Sequence, residues 1–401
     1  MMQAGCHCKL RIRQPSTKLH AKLQPRVRST QKRIDCSSYT LDQPETKQAK
    51  QEPIYLPQVL SALMQRRDLT KEQCRAAVSS IVDGEINVAQ AAAFMVLLHS
   101  KGETPQEMAG LAEAMQLKAV PVHTSCDVLD IVGTGGDGIG SVNISTGACV
   151  LAAAAGAHVA KHGSRAVSSS CGAADVLEAL GVAVELSPAS VSKCIEETRL
   201  GFMYAPYYHP VMKSVKSVRS ALQVRTTLNM LGPLLNPAGA VYGLIGVYSP
   251  DISMLMAQAL QQLGTRKALV VHSQGMDELT PMGTADVVEA TQDNIRRYVL
   301  EPKDLGINRC QVSDLKGGDA ALNAQILRDV FGGQQGAVAD ALCLNAGVAL
   351  AAAQVAPTAQ DGIRMAQEVH RSGQAGNTLQ NWIDVSQQLH FADTQDAAHS
   401  A

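Results

Sequence analysis

Residues 130–146 read DIVGTGGDGIGSVNIST. Gly133, Gly135 and Gly138 spell G-x-G-x-x-G after a β-rich run, DVLDIVG, and before a helical run that starts near Ser145. A dinucleotide-binding unit needs an acid about 20 residues further on to hold the ribose hydroxyls. Here the next β-rich run, AHVAKHGSR, ends in Lys161, His162 and Arg165. Bases at that place collect anions and cannot accept a hydroxyl proton as a carboxylate does. No Gly-Lys-Ser/Thr follows either, which excludes a Walker A loop. Five glycines within positions 133–140 let backbone N–H groups converge on an anion, and the following helix adds its N-terminal donors. A third loop, SSSCG at 168–172, opens the next helical run with hydroxyl and backbone donors. Strand ends at the carboxyl edge of an α/β sheet are where ligands bind. Three such loops on successive strands point to a ligand carrying several phosphates, not to a nicotinamide.

A second cluster, HSQGMDELTPMG, places Asp277 and Glu278 at another strand end after a glycine turn. Adjacent carboxylates repel, and if buried dry one of them takes up a proton. Mg2+ relieves that repulsion, and it takes one or two carboxylates together with water and substrate phosphates. Alone, the pair would read as an exposed acidic turn; beside anion loops it reads as a metal site. A third segment, YAPYYHPVMKSVKSVRSALQVRTTLNMLGPLLNPAG, carries His209, Lys213, Lys216, Arg219 and Arg225. Met212, Val215 and Val218 make it amphipathic whether the basic face meets solvent or a ligand. No Ser-His-Asp or Cys-His constellation offers a nucleophile or an acid–base pair.

The elements that must hold these residues fall into two textures. Residues 53–120 are helical throughout: Leu56, Val59, Leu60 and Leu63 share a face, and Thr104 followed by Pro105 starts a later helix. From 123 onward β-rich runs alternate with helical ones: DVLDIVG, AHVAKHG, VAVEL, GFMYAP, VYGLIGVY and KALVVHS, then ADVVEAT and RRYVLEP. That alternation predicts an α/β fold, with a small N-terminal all-helical domain plus a larger α/β domain whose mainly parallel central sheet is flanked by helices. The expected boundaries are a leader at 1–50, a helical domain at 51–122 joined in space by about 208–235, an α/β domain at 123–390 and a frayed tail at 391–401. The Ala-rich ACVLAAAAGA is too short to span a membrane and reads as a buried helix.

The net charge of −1 hides an asymmetry. Residues 1–50 carry eleven Lys/Arg and three acids, the remainder 24 basic and 33 acidic residues. A basic, acid-poor start ahead of an acidic body has the composition of an organelle transit peptide, with a disordered basic tail and a nucleic-acid arm as alternatives. The acidic body argues against a nucleic-acid partner. The ten cysteines follow no disulfide framework and read as free thiols. Cys6-His7-Cys8 has no second ligand pair near it, and Asn143-Ile144-Ser145 matches a glycosylation sequon without other signs of secretion.

In this order, GTGGD (133–137), NIST (143–146), KHGSR (161–165), AADVLEALG (173–181), YAPYYHPVMK (204–213), LGPLLNPAG (231–239) and Asp277-Glu278 resemble the anthranilate phosphoribosyltransferase family, as does AAAFMVLLHSKGETPQEMAGLAEAM (91–115). The resemblance spans about 53–385. It implies transfer of a phosphoribosyl group from 5-phosphoribosyl 1-pyrophosphate (PRPP) to the amine of anthranilate in tryptophan biosynthesis. It further implies that Gly133, Thr134, Gly135, Gly136, Asp137, Asn143, Ser145, Thr146, Lys161 and Ser169 bind PRPP. Gly133, Ser164, His209 and Arg219 would then meet anthranilate, and Ser145, Asp277 and Glu278 would bind Mg2+, two ions in all. Flavin, pyridoxal phosphate, nicotinamide, nucleic acid and membrane have no part in that picture. It implies a homodimer through the helical domain and, with the leader, a plastid stroma or, second, a mitochondrial matrix. A pyrimidine nucleoside phosphorylase, which shares the architecture, and a non-catalytic nucleic-acid-binding relative are the alternatives; the intact Asp-Glu pair argues against the first. The chain departs from the usual family pattern at Ser164 (Asn), Ala173 (Ser), Gln223 (Gly) and Leu228 (Phe).

Overall fold

The computed structural model describes residues 56–166, 170–212, 218 and 222–400. The leader, Cys6-His7-Cys8, Ser169, Lys213, Lys216 and Arg219 lie outside the described residues.

Four helices come first: α1 (Leu56–Met64), α2 (Lys71–Val82), α3 (Val88–Lys101) and α4 (Pro105–Gln116). Three of them start on reciprocal caps, Thr70 with Gln73, Asn87 with Gln90 and Thr104 with Glu107, each closing two N-terminal donors. Glu107 does more than cap. Its fully buried carboxylate accepts the N–H groups of Leu69 and Thr104, both at 2.8 Å, and pairs with Lys101 at 3.0 Å. It thereby ties the loop before α2 to the start of α4. Leu63, Phe94, Leu98, Met108 and Leu111 fill the space between the helices.

The α/β part is built on seven strands: β1 (Leu129–Gly133), β2 (Val159–Gly163), β3 (Leu200–Tyr204), β4 (Tyr242–Gly246), β5 (Lys267–Ser273), β6 (Ala285–Thr291) and β7 (Ile295–Leu300). Their order is β3-β2-β1-β4-β5-β6-β7; the first five run parallel, and β6 and β7 are added antiparallel. The crossovers are α5 (Ile144–Ala154), α6 (Ala173–Leu180), α7 (Pro188–Thr198), the short α8 (Ala205–Tyr208) and α9 (Ser253–Gln262). The chain closes with α10 (Ala320–Phe331), α11 (Ala337–Ala352), α12 (Ala359–Ser372) and α13 (Gln374–Ser400).

Alternation along the strands assigns the two faces of the sheet. Leu244, Leu269 and Val271 enter one core with α5 and α11. Their neighbours Ile245, Val270 and Ala268 enter another, with α9 and the N-terminal helices. Leu228, Met230, Leu231, Leu234 and Leu235 join that second core. The α5 stretch is buried on every side, as its Ala-rich composition requires.

Two expectations change. VAVEL (182–186) is not a strand. Side chains satisfy its backbone in place of a ladder: Ala183 N–H donates to Ser386 Oγ at 3.1 Å, and the Tyr208 hydroxyl donates to the Leu186 carbonyl at 2.7 Å. The stretch expected as a tail from 391 is helical, because α13 continues to Ser400. Asp393 anchors it by accepting Ser187 N–H (2.8 Å), Ser187 Oγ (2.9 Å) and Ser190 Oγ (2.8 Å) at the start of α7. No described helix is long and apolar enough to cross a membrane.

Replacing Glu107 by Gln sets an amide against two buried N–H groups and removes the charge facing Lys101. The expected cost is about 2 kcal/mol of stability, read as a lower urea midpoint with an unchanged slope.

Candidate active site

Gly133 ends β1, and residues 134–142 form the loop to α5. β5 ends in a tight turn at Gln274-Gly275, where Ser273 and Met276 exchange backbone hydrogen bonds at 3.1 and 2.9 Å. The chain then folds back across the ends of β1 and β4. A Cβ at Gly246 would lie 1.6 Å from the Asp277 carbonyl, and one at Gly133 would lie 2.3 Å from Asp277 Oδ2. Both strands must therefore end in glycine for the carboxylate pair to seat. Gly246 was absent from the expected site, although a glycine inside a strand signals close backbone approach.

The seated pair meets the glycine loop and the helix start together. Asp277 Oδ2 accepts the Gly135 N–H at 2.6 Å, and Glu278 Oε1 accepts the Ser145 N–H at 3.3 Å. Lys161 is buried; its Nζ donates to the Ile131 carbonyl at 2.7 Å and to Ser145 Oγ at 3.3 Å. Burial pushes the Glu278 carboxyl up to about 8, with the neighbouring Asp277 charge adding to it. Asp277 is pushed up to about 6 by burial and then by Asp137. Among the described residues no group of three or more His, Cys, Asp or Glu is arranged to hold a metal by itself. Two carboxylates that cannot both ionise comfortably, with a serine hydroxyl beside them, form an incomplete set of hard oxygen donors. They suit Mg2+ completed by water and phosphate oxygens. Thr146 Oγ1, buried on the first turn of α5, has no partner among the described residues.

Asn143 is turned inward. Its Nδ2 donates to the Cys171 carbonyl at 3.2 Å, while its Oδ1 accepts from Asn323 Nδ2 at 2.9 Å. This joins the start of α5 to the loop before α6 through Asn323, a residue without a sequence signal. Arg165 does not face the glycine loop. It pairs with Asp175 at 3.4 Å and with Glu178, which leaves Lys161 as the cation of the KHGSR motif that faces the site. Ser164 is half-buried, and its carbonyl accepts the Ala174 N–H at 3.2 Å.

His209 comes to lie 5.1 Å, ring centre to ring centre, from His162. His209 Nε2 donates to the Leu235 carbonyl at 2.7 Å and His162 Nδ1 to the Gly232 carbonyl at 3.3 Å. The carbonyls fix both tautomers, and the remaining nitrogens, His209 Nδ1 and His162 Nε2, are buried without a partner among the described residues. Burial lowers both, His162 to about 3, so each presents a neutral acceptor at pH 7. His162 was noted in the sequence only as a base at a strand end. Burial and the pairing with His209 make it part of the wall.

Two family models match: the helical bundle domain of a glycosyl transferase family over residues 57–119, and the a/b domain of the same kind over 125–376. Fold and site thus define a glycosyl transferase of the type with a helical bundle and an a/b domain. An anthranilate phosphoribosyltransferase from Chlamydia felis is 43% identical over 82% of this chain and 96% of its own length, and one from Rubrobacter xylanophilus is 45% identical over 80% and 94%. A crystal structure of anthranilate phosphoribosyltransferase from Thermus thermophilus superposes with a TM-score of 0.79 at 42% identity, covering 82% of this chain and 99% of that one. The Saccharomyces cerevisiae enzyme in complex with PRPP and Mg gives 0.76 at 26% identity, covering 83% and 98%. The chain belongs to the anthranilate phosphoribosyltransferase family.

The raised carboxyls make the metal-free fold sensitive to pH. Glu278 keeps a proton that the unfolded chain gives up near the ordinary glutamate value, about 4.3. Its contribution to stability is therefore complete below that value and lost as pH rises towards about 8. Metal-free protein should lose melting temperature across that window, and Glu278→Gln should flatten the slope. Mn2+ binding should release protons in the same window, seen by calorimetry in two buffers of different ionisation enthalpy.

Proposed function

We infer that the chain transfers the phosphoribosyl group of PRPP to the amine of anthranilate, giving N-(5-phosphoribosyl)anthranilate and pyrophosphate in tryptophan biosynthesis. The observation that carries this is the seating of buried Asp277 and half-buried Glu278 against the glycine loop and the start of α5, with Lys161 hydrogen-bonded to Ser145 Oγ there. The names of its relatives, and the yeast structure holding PRPP and Mg, point the same way.

Departure of pyrophosphate leaves positive charge at ribose C1 and negative charge on the leaving group. Mg2+, when bound, neutralises part of that negative charge; we assign Asp277, Glu278 and Ser145 to hold two such ions. Gly133, Thr134, Gly135, Gly136 and Asp137 surround the diphosphate and ribose. Lys161, Thr146 and Asn143 lie at the phosphate side of the α5 start, and the unpartnered Thr146 hydroxyl supports that placement. Fixed donors aimed at the leaving group act where the charge develops. Anthranilate's aromatic amine is already neutral at pH 7, so no strong base is required and positioning supplies the rest. Ser164 and the neutral His209 line the acceptor side. Ser169 and Arg219 keep the PRPP and anthranilate roles that the resemblance gives them.

A homodimer through the helical part fits the exposed Met64, Val88 and Val96 on α1 and α3. The basic N-terminal 50 residues support a plastid address. A fusion of residues 1–50 to a fluorescent protein should enter plastids; a cytosolic signal would remove that reading.

The reaction is followed by loss of anthranilate fluorescence in the presence of PRPP and Mg2+. Asp277→Asn or Glu278→Gln should lower kcat by about 100-fold or more. Ser164→Asn, which restores the usual amide, should lower KM for anthranilate by about threefold to tenfold, worth one neutral hydrogen bond, and leave KM for PRPP alone. An unchanged fluorescence with the native protein would defeat the assignment.

A further inference from the structure

Two consecutive parts of the glycine loop are pinned by groups of opposite charge. The N–H of Gly135 donates to Asp277 Oδ2 at 2.6 Å. One residue later, the Gly136 carbonyl accepts from Arg225 Nη2. Gly135 and Gly136 both hold positive φ, 72° and 86°, a conformation that glycine adopts without steric cost. A Cβ at Gly136 would stand 2.9 Å from Arg225 Nη2, so the guanidinium lies directly against the loop backbone.

Arg225 is itself held. Its guanidinium carbon sits 4.4 Å from the centre of the Tyr248 ring. The Tyr248 N–H donates to Thr134 Oγ1 at 3.2 Å, and the Thr134 N–H donates to the Gly246 carbonyl at 2.9 Å. The next residue, Thr226, donates its N–H to Asn229 Oδ1 at 3.0 Å, and Thr227 Oγ1 donates to Glu103. A chain of contacts therefore runs from the end of α3 through 225–227 and Tyr248 to residues 134–136.

We propose that Arg225 is a positioning residue for the sugar-diphosphate donor, acting through the Gly136–Asp137 peptide. A trans peptide points its C=O and N–H in opposite directions. Drawing the Gly136 carbonyl onto Arg225 therefore turns the Asp137 N–H away from Arg225. The N–H groups of Gly136 and Asp137, one before and one after the pinned carbonyl, have no acceptor among the described residues. They are the donors left for the diphosphate, and Arg225 sets their direction before it arrives. Tyr248 is part of the device because its ring fixes the guanidinium plane and its backbone holds Thr134.

The proposal rests on the donor-site reading above. Its test uses the full chain with Mg2+ and inorganic pyrophosphate as probe, by calorimetry, alongside steady-state kinetics. Arg225→Gln should weaken pyrophosphate by about tenfold to a hundredfold, the size of a lost charge-assisted hydrogen bond. KM for PRPP should rise in step, with KM for anthranilate held within about twofold. Arg225→Lys should recover part of the loss. Tyr248→Leu should weaken pyrophosphate in the same direction, and the double variant should be little worse than Arg225→Gln alone. Equal melting temperatures keep the comparison free of misfolding, and Arg225→Lys carries the test if Arg225→Gln does not fold. Unchanged pyrophosphate affinity in Arg225→Gln would overturn the proposal. So would a loss in Arg225→Gln with Tyr248→Leu neutral, since Arg225 would then touch the diphosphate directly. Native protein that binds no pyrophosphate would overturn the donor-site reading and this proposal together.

Discussion

The fold around this site answers one electrostatic constraint: two adjacent carboxylates have to be held away from bulk water at the end of a sheet. Desolvation and mutual repulsion both disfavour their charged forms. The protein meets this by surrounding them with donors whose positions do not depend on flexible side chains. These are the Gly135 N–H, in the loop directly after β1, and the Ser145 N–H, in the first turn of α5. What remains unbalanced is negative charge, and a divalent cation carried with phosphates is the chemistry that balances it.

Buried polar groups tie the neighbouring segments together. Asp130, buried on β1, is pushed up to about 6 by burial and accepts from Asn236 Nδ2 at 2.7 Å. Asn236 also donates to the Ala160 carbonyl at 2.8 Å, so LGPLLNPAG is tied to β1 and β2 beneath the site. His162 and His209 add acceptors without charge. Lys161 acts on Glu278 through its charge, and its hydrogen bonds to the Ile131 carbonyl and Ser145 Oγ place it under the start of α5.

The helical part contributes to the site through packing. One apolar core contains Phe94, Met108 and Leu111 from the helices, Leu228 to Leu235 from the connecting segment, and Ile245 and Val270 from the sheet. The wall that carries His209, Gly232 and Leu235 is therefore supported from both sides. Leu228 fills its place in that core although the family usually has Phe there. Gln223 adopts a φ of 50°, the left-handed region that explains why glycine is usual at this position.

The glycine spacing, the absence of a ribose-binding acid, the Asp-Glu pair and the alternation of β-rich and helical runs were enough to indicate a polyphosphate site on an α/β sheet. Those are local signals, because backbone conformation, charge and periodicity are written in neighbouring residues. Residues that act across the chain were not readable in this way. Gly246 matters only because Asp277 lands on it, and Arg165 leaves the anion loop only because Asp175 and Glu178 stand beside it. VAVEL has strand composition, yet α13 and Tyr208 satisfy its backbone. His162 becomes a wall of the pocket when β2 brings it to His209, and Arg225 meets Gly136 across 89 positions of sequence. Sequence determined which residues could bind phosphate and metal. Tertiary structure decided which of them converge, because desolvation and hydrogen-bond geometry depend on neighbours that only folding supplies.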